Sequence, residues 1–281
     1  MVREEKISIK TIIRRYWKRA FFTWMMVFLE GLLILLFPLL IGKALDDYMT
    51  SSMIGVYALG ALCLATLITG AGRRFYDTRV YSKIYKLLSG EIVMREDKRS
   101  SSISKTSARL HLFAEFIDFL ENSMPAIIDN FIRLAGTVVI IFFMDIKLFL
   151  ICLTSSLLIL LVYYFSNSKI YFLNSGQNDE FENQVDIITR KEPEETQNHF
   201  NRIIAWKIRL SDLETINFSL VWLILSVVLV LAIVLISGSS GQTSGSSLTI
   251  IMYIFGFMES VMVFPLYYQQ LIRLHEVSGR L

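Results

Sequence analysis

Cysteine is almost absent: there are two in 281 residues, Cys63 and Cys152, each inside an apolar stretch. That excludes a disulfide framework and a cysteine-based metal site, whose ligands sit in loops, and leaves both thiols as packing residues. Histidine is scarce as well, since His111, His199 and His275 fall in three separate segments with no metal-ligand spacing. Two catalytic signatures are missing: the Gly-x-Ser-x-Gly turn that exposes a nucleophilic serine, and the Gly-x-x-x-x-Gly-Lys-(Ser/Thr) loop that cradles phosphates. The adjacent Asp46 and Asp47 stand at an expected helix exit, where capping and solvation explain them better than acid-base catalysis. Strong net charge is lacking too; at +3 the chain has no basic surplus of the kind that nucleic-acid binding requires.

What the chain has is apolar length. Hydrophobic residues make up 54% of it, and the mean hydropathy of +0.52 exceeds what a soluble core can hide. Six windows have roughly the 20 apolar residues a helix needs to cross hydrocarbon: 20–41, 53–72, 124–144, 148–165, 216–236 and 248–268. The first follows a basic N-terminus but is too long for a signal-peptide core and has no small-residue cleavage site, so it reads as a retained span. Strands are excluded because an open sheet leaves its backbone unsatisfied in lipid and no barrel-like alternation is present. The expected fold is all-α: a polytopic membrane protein of six spans over residues 20–281.

Lys and Arg orient it. Segments 1–19, 73–123, 166–215 and 269–281 carry 7, 10, 6 and 2 of the 28, while the other three connections carry only Lys43 and Lys147, and Arg133 lies within a span. The bias places both termini and both long loops in the cytoplasm, as in a plasma (inner) membrane protein. The connections on the other side, 42–52, 145–147 and the Ser/Gly-rich 237–247, are short. Residues 1–19 alternate Ile9, Ile12, Ile13, Tyr16 and Trp17 with Lys10, Arg14, Arg15, Lys18 and Arg19, the pattern of an amphipathic helix lying in the interface.

Both cytoplasmic loops run to about 50 residues, too long for structureless connections. Apolar residues recur at helical spacing in each: Tyr81, Ile84, Leu88 and Ile92, then Leu110, Phe113, Ile117 and Leu120 in the first; Phe181, Val185 and Ile188, then Phe200, Ile204 and Ile208 in the second. Turns at 100–107 and around Pro193 in 191–195 separate the runs. Two helical hairpins are therefore expected to project about 30 Å below the membrane.

Three ionisable residues are expected near mid-membrane: Glu30, Arg133 and Glu259. A charge there costs roughly 2.5–3.5 kcal/mol on insertion scales, so the three should face the bundle interior or a cavity, with Arg133 paired to Glu30 or Glu259. The acid left over is a candidate for contacting a cationic substrate or carrying a proton; the structural alternative is a clamp between helices. Tyr163, Tyr164, Tyr267 and Tyr268 fit an interfacial aromatic belt.

Six spans, short outer connections, two long inner helical hairpins and cytoplasmic ends together resemble the membrane domain of exporter-type ABC transporters. Phe37-Pro38-Leu39-Leu40-Ile41-Gly42-Lys43-Ala44-Leu45-Asp46 is similar to that family's Pro-x-x-x-Gly-x-x-x-Asp stretch where the first helix leaves the membrane, and Ser278-Gly279-Arg280-Leu281 resembles the Ser-x-Arg-(Ile/Leu) ending of its sixth helix. The resemblance implies a homodimer or heterodimer of twelve spans in lipid. It also implies coupling turns, including Ser102, Ser104, Lys105 and Thr106 in the first loop and Arg190, Lys191, Glu192 and Glu194 in the second, that dock onto nucleotide-binding domains. With no phosphate-binding loop, this chain would bind no cofactor itself, and ATP and Mg would be held by a separate or missing partner subunit. Two alternatives stay open: a non-transporting assembly protein on the same scaffold, and an ion-coupled carrier using Glu30, Arg133 and Glu259.

Overall fold

The computed structural model describes residues 9–98, 103–238 and 241–280; at helix ends 9–16 and 272–280, and at a few other positions, only the backbone is described. The described residues form helices and no strand. In chain order these are α1 (Ile9–Leu35), α2 (Phe37–Met49), α3 (Ile54–Lys98), α4 (Ile103–Asp118), a π-helical turn (Phe119–Ser123), α5 (Met124–Met144), α6 (Ile146–Arg190), α7 (Pro193–Ser237) and α8 (Ser244–Arg280). Six stretches are long and apolar enough to cross a membrane, as the sequence implies, with α1 and α2 sharing the first.

Several boundaries differ from expectation. The first span is broken at Leu36, where Pro38 lacks the N–H that the Ile34 carbonyl would accept, and the helix restarts as α2 with proline in its first turn. α2 then continues to Met49, so most of the loop expected at 42–52 is helix. The turn expected at 100–107 is helical from Ile103 onward. The backbone of 9–19 runs without a break into the first span. Between α4 and α5 the helix widens because Pro125 has no N–H for the Glu121 carbonyl; the Met124 N–H instead reaches back five residues to the Phe119 carbonyl.

The chain divides into two compact units, residues 1–144 with 239–281, and residues 145–238. In the first, α3 and α4 extend beyond the apolar windows as a stalk with its own core. Tyr81, Ile84, Leu88 and Ile92 of α3 pack against Phe113, Phe116, Ile117 and Leu120, which is the seam the periodicity implies apart from the half-buried Leu110. Tyr85 stacks on Phe113 with ring centroids 5.8 Å apart. Burial of each side chain in this seam contributes roughly 1.5–3 kcal/mol to holding the two helices of the stalk together.

The second unit is a hairpin of two 45-residue helices, α6 and α7. Asp145 caps α6 by accepting from the N–H groups of Lys147 and Leu148 at 2.7 and 3.1 Å. At the far end Lys191, in the left-handed region at φ 54°, stops α6, and Pro193 starts α7 after Glu192. The reversal takes two residues where a break over 191–195 was expected.

The inner face of the hairpin is also not the one expected. Leu173 and Ile187 of α6 and His199, Ile203 and Leu213 of α7 are buried, whereas Phe181, Ile188, Phe200, Ile204 and Ile208 are exposed, and the side chain of Val185 lies outside the described residues. Each helix carries two apolar stripes, and the inner one includes a histidine and shorter runs. Gly176 belongs to this seam: a Cβ there would meet the Trp206 ring at 2.8 Å, so the bare backbone seats the indole. Phe172 lies edge-on to the same indole at 5.9 Å and Arg209 sits 5.5 Å from its centre.

Candidate functional site

Spacing brings charge together in the first unit. Thr23 and Glu30 are seven residues apart on one face of α1, and Gly70, Arg73 and Asp77 form a matching face of α3. The Arg73 guanidinium joins the two: its Nε donates to Glu30 Oε2 at 2.5 Å and its Nη1 to Asp77 Oδ2 at 3.3 Å. Thr23 Oγ1 donates to the other Asp77 oxygen at 2.7 Å. The side chains are well shielded, at 16% exposure for Arg73, 14% for Glu30 and 4% for Asp77. Gly70 makes room, because a Cβ there would lie 2.9 Å from Glu30 Oε1.

One helix away, Arg133 Nε lies 3.1 Å from Asp129 Oδ2 on the preceding turn of α5. A Cβ on Gly31 of α1 would stand 3.1 Å from Asp129 Oδ1, so this carboxylate too is admitted by a glycine. That oxygen is shielded and has no hydrogen-bond partner among the described residues. Asp129 lies in the field of Arg133 first, then of Glu30, Arg73 and Glu259, so groups from four helices share one region. Three carboxylates (Glu30, Asp77, Asp129) meet two guanidiniums (Arg73, Arg133) there, with Glu259 of α8 at the margin, so carboxylates outnumber guanidiniums. Asn130 ties α5 to α8 beside it, its amide donating to the Ser260 carbonyl at 3.2 Å.

The expected pairing of Arg133 with Glu30 or Glu259 is therefore corrected. Glu30 is held by Arg73, Arg133 stays with Asp129, and the Glu259 side chain is exposed between buried Met258 and Ser260. Sequence reasoning missed Asp129, although it lies within the window 124–144. It missed Arg73 and Asp77 because the second window stops at Gly72. The signal was present in both cases as a carboxylate four residues from an arginine on one helical face, Asp129 with Arg133 and Arg73 with Asp77.

Ser102 lies outside the described residues, as do the side chains of Ser104 and Lys105, and Thr106 is half-buried. Arg190 pairs with Glu195 across the turn at 3.1 Å, while Lys191, Glu192 and Glu194 are exposed. His199 is fully buried, with Nδ1 3.1 Å from Glu180, whose other oxygen accepts from Arg202 at 2.9 Å. Cys152 is buried as a packing residue, but Cys63 is exposed. Tyr164 and Tyr268 are exposed and Tyr163 and Tyr267 half-buried. Among the described residues no cluster of His, Cys, Asp or Glu could hold a metal.

Within the first unit, at the end away from its α3–α4 stalk, Pro38, Gly42 and Asp46 recur every four residues along α2 and all three meet α8. The Pro38 carbonyl accepts from Thr249 at 3.0 Å, and Asp46 accepts from the Thr243 hydroxyl at 2.5 Å and the Gly245 N–H at 2.8 Å. Gly42 and Gly245 face each other so closely that a side chain on either would strike the other's backbone. Pro38, Gly42 and Asp46, the first of the two motifs in the sequence resemblance, thus form one helix-crossing surface, and Asp46 caps a neighbouring helix rather than its own.

A family model described as ABC transporter transmembrane region matches residues 9–245, well over half of the chain. No curated protein matches the chain.

Proposed function

Because the chain belongs to the family of ABC transporter transmembrane regions, we propose that it is the membrane-spanning subunit of an exporter-like transporter, moving a small molecule or peptide by alternating access. ATP and Mg are bound and hydrolysed by a separate nucleotide-binding subunit. The observation that carries the reading is the family match over helices that outreach the membrane. Each 45-residue helix of the α6–α7 hairpin is about 68 Å long, more than twice the roughly 30 Å of hydrocarbon. Such stalks are levers: closure of two ATPase subunits against the turns that include Ser102, Ser104, Lys105, Thr106, Arg190, Lys191, Glu192 and Glu194 moves the spans.

The working unit is a homodimer or heterodimer with stalks and termini in the cytoplasm. Two features of the single chain support a second copy. The apolar stripe of Phe181, Ile188, Phe200, Ile204 and Ile208 is uncovered, and the Glu259 side chain is exposed within an apolar span, where charge needs a partner or a cavity. The surplus of carboxylates over guanidiniums around Asp129, with Asp129 Oδ1 unpartnered, favours a substrate carrying positive charge.

A second reading, a non-transporting assembly protein, is favoured by the complete engagement of Arg73 with Glu30 and Asp77, which suits a static clamp. Purification of the native complex separates the two. An ATPase subunit in fixed ratio, with ATP-dependent uptake into vesicles, is expected; a stable assembly with no ATPase and no uptake refutes the transporter.

A further inference from the structure

At the α2–α8 crossing two glycines touch, and the polar ties are hydrogen bonds to Asp46 and to the Pro38 carbonyl. Small residues let the two backbones approach closely here, so the contact rests on backbone packing and these hydrogen bonds rather than on interdigitated side chains.

Of the three donors that reach α2 from this side, Thr249 has a second acceptor within its own helix and Thr243 keeps a role there as a cap. Thr243 Oγ1, which donates to Asp46, also accepts from the Ser246 N–H at 3.1 Å, so α8 retains an N-cap when Asp46 leaves. Thr249, which donates to Pro38, also lies 2.9 Å from the Gly245 carbonyl one turn back. Separation frees the Thr243 hydroxyl and the Gly245 N–H, both at a helix start where water replaces the carboxylate.

A pivot is present as well. The break at Leu36 lies at the base of α2, and the Tyr253 hydroxyl, lower on α8, donates to the Leu35 carbonyl beside it at 2.8 Å. The start of α3 travels with α2, because Gly55 packs directly on Ala44 and Asp47. Ahead of α8, Gly241 at φ 100° gives the chain a turn that few other residues adopt.

We propose that α2 is a hinged arm, pivoting at Leu35–Leu36 against Tyr253, and that Asp46 is its catch, a releasable latch that closes this end of the bundle by capping α8. The latch depends on neither the transporter reading nor the orientation of the chain in a membrane.

The test uses the full chain in nanodiscs with Cys63→Ser and the buried Thr249→Cys as reporter, labelled with a water-soluble maleimide and located by mass spectrometry. The two bonds Asp46 accepts are of the charge-assisted kind, so Asp46→Ala should speed labelling at position 249 by ~10-fold or more. Asp46→Asn, which keeps an acceptor for the Gly245 N–H, should fall between and serves where the alanine variant does not fold. Cys152, buried in the other unit, is the internal control and should stay unlabelled. Equal labelling of position 249 with and without Asp46, or labelling of Cys152 in parallel, overturns the latch.

Discussion

Replacing Arg73 with leucine isolates the largest electrostatic commitment in the bundle. The change leaves Glu30 and Asp77, at 14% and 4% exposure, without their cation, and only Asp77 keeps a partner, the Thr23 hydroxyl at 2.7 Å. Removing one member of a buried pair costs about 3–5 kcal/mol, because the residual charge is stranded rather than because the pair was strongly favourable. For a chain of this size roughly 2–4 °C of melting temperature accompanies each kcal/mol, so a fall of about 10 °C is expected. The triple variant Arg73→Leu, Glu30→Leu, Asp77→Asn is the sharper test. It removes the stranded charges while asparagine still accepts from Thr23, so most of the loss should be recovered. The assay is thermal unfolding in detergent followed by tryptophan fluorescence and size exclusion. A single variant that melts with the wild type, or a triple variant worse than the single, would falsify the account of this network.

Three further outcomes follow from local geometry. Gly70→Leu must displace Glu30 from Arg73, since even a Cβ stands 2.9 Å from Oε1, and a loss of about 1–3 kcal/mol should appear in the same melting assay. Lys191→Gly relieves a left-handed residue at φ 54° and should raise the melting temperature slightly, by the equivalent of about 0.5–1 kcal/mol, while an unchanged or lower value would show that the Lys191 side chain holds the turn. Asp145→Ala removes the acceptor for two N–H groups and should cost about 0.5–2 kcal/mol, with faster hydrogen exchange confined to the first turn of α6.

The spans and the α3–α4 stalk are legible in the sequence because each depends on one strong pattern, sustained hydropathy for the first and residues Tyr81 to Ile92 at helical spacing for the second. Patterns that serve two purposes mislead. Residues 42–49 read as a loop because they include Lys43, Asp46 and Asp47, yet they are helical, and Asp46 is polar to cap a helix about 200 positions away in sequence. In the α6–α7 hairpin, the exposed stripe through Phe200, Ile204 and Ile208 is more conspicuous than the buried one through His199 and Ile203, because burial there is completed by a histidine held between its neighbours and Glu180. The charge network was missed at its edges for a related reason. A hydropathy window ends where charge begins, so Arg73 and Asp77 fall just outside the second span even though their side chains reach back to α1.

Leu36 divides the first span into two parts with opposite mechanical character. Below it, α1 is bound to α3 through Arg73, Glu30, Asp77 and Thr23, groups whose separation would strand charge in a low-dielectric interior. Above it, α2 meets α8 through glycines and a carboxylate whose release leaves Thr249 an acceptor in its own helix and hands the Thr243 hydroxyl and the Gly245 N–H to water. A motion confined to the upper half thus avoids the cost that fixes the lower half. Pro38 makes this possible, since an unbroken helix would transmit any swing of α2 directly into the ion pairs. It follows that substituting Pro38 with alanine, which restores the missing N–H, should couple the halves: loss of Asp46 would then lower the melting temperature more in the alanine background than in the wild type. Strictly additive losses in the two backgrounds would show that the break at Leu36 does not insulate one half from the other.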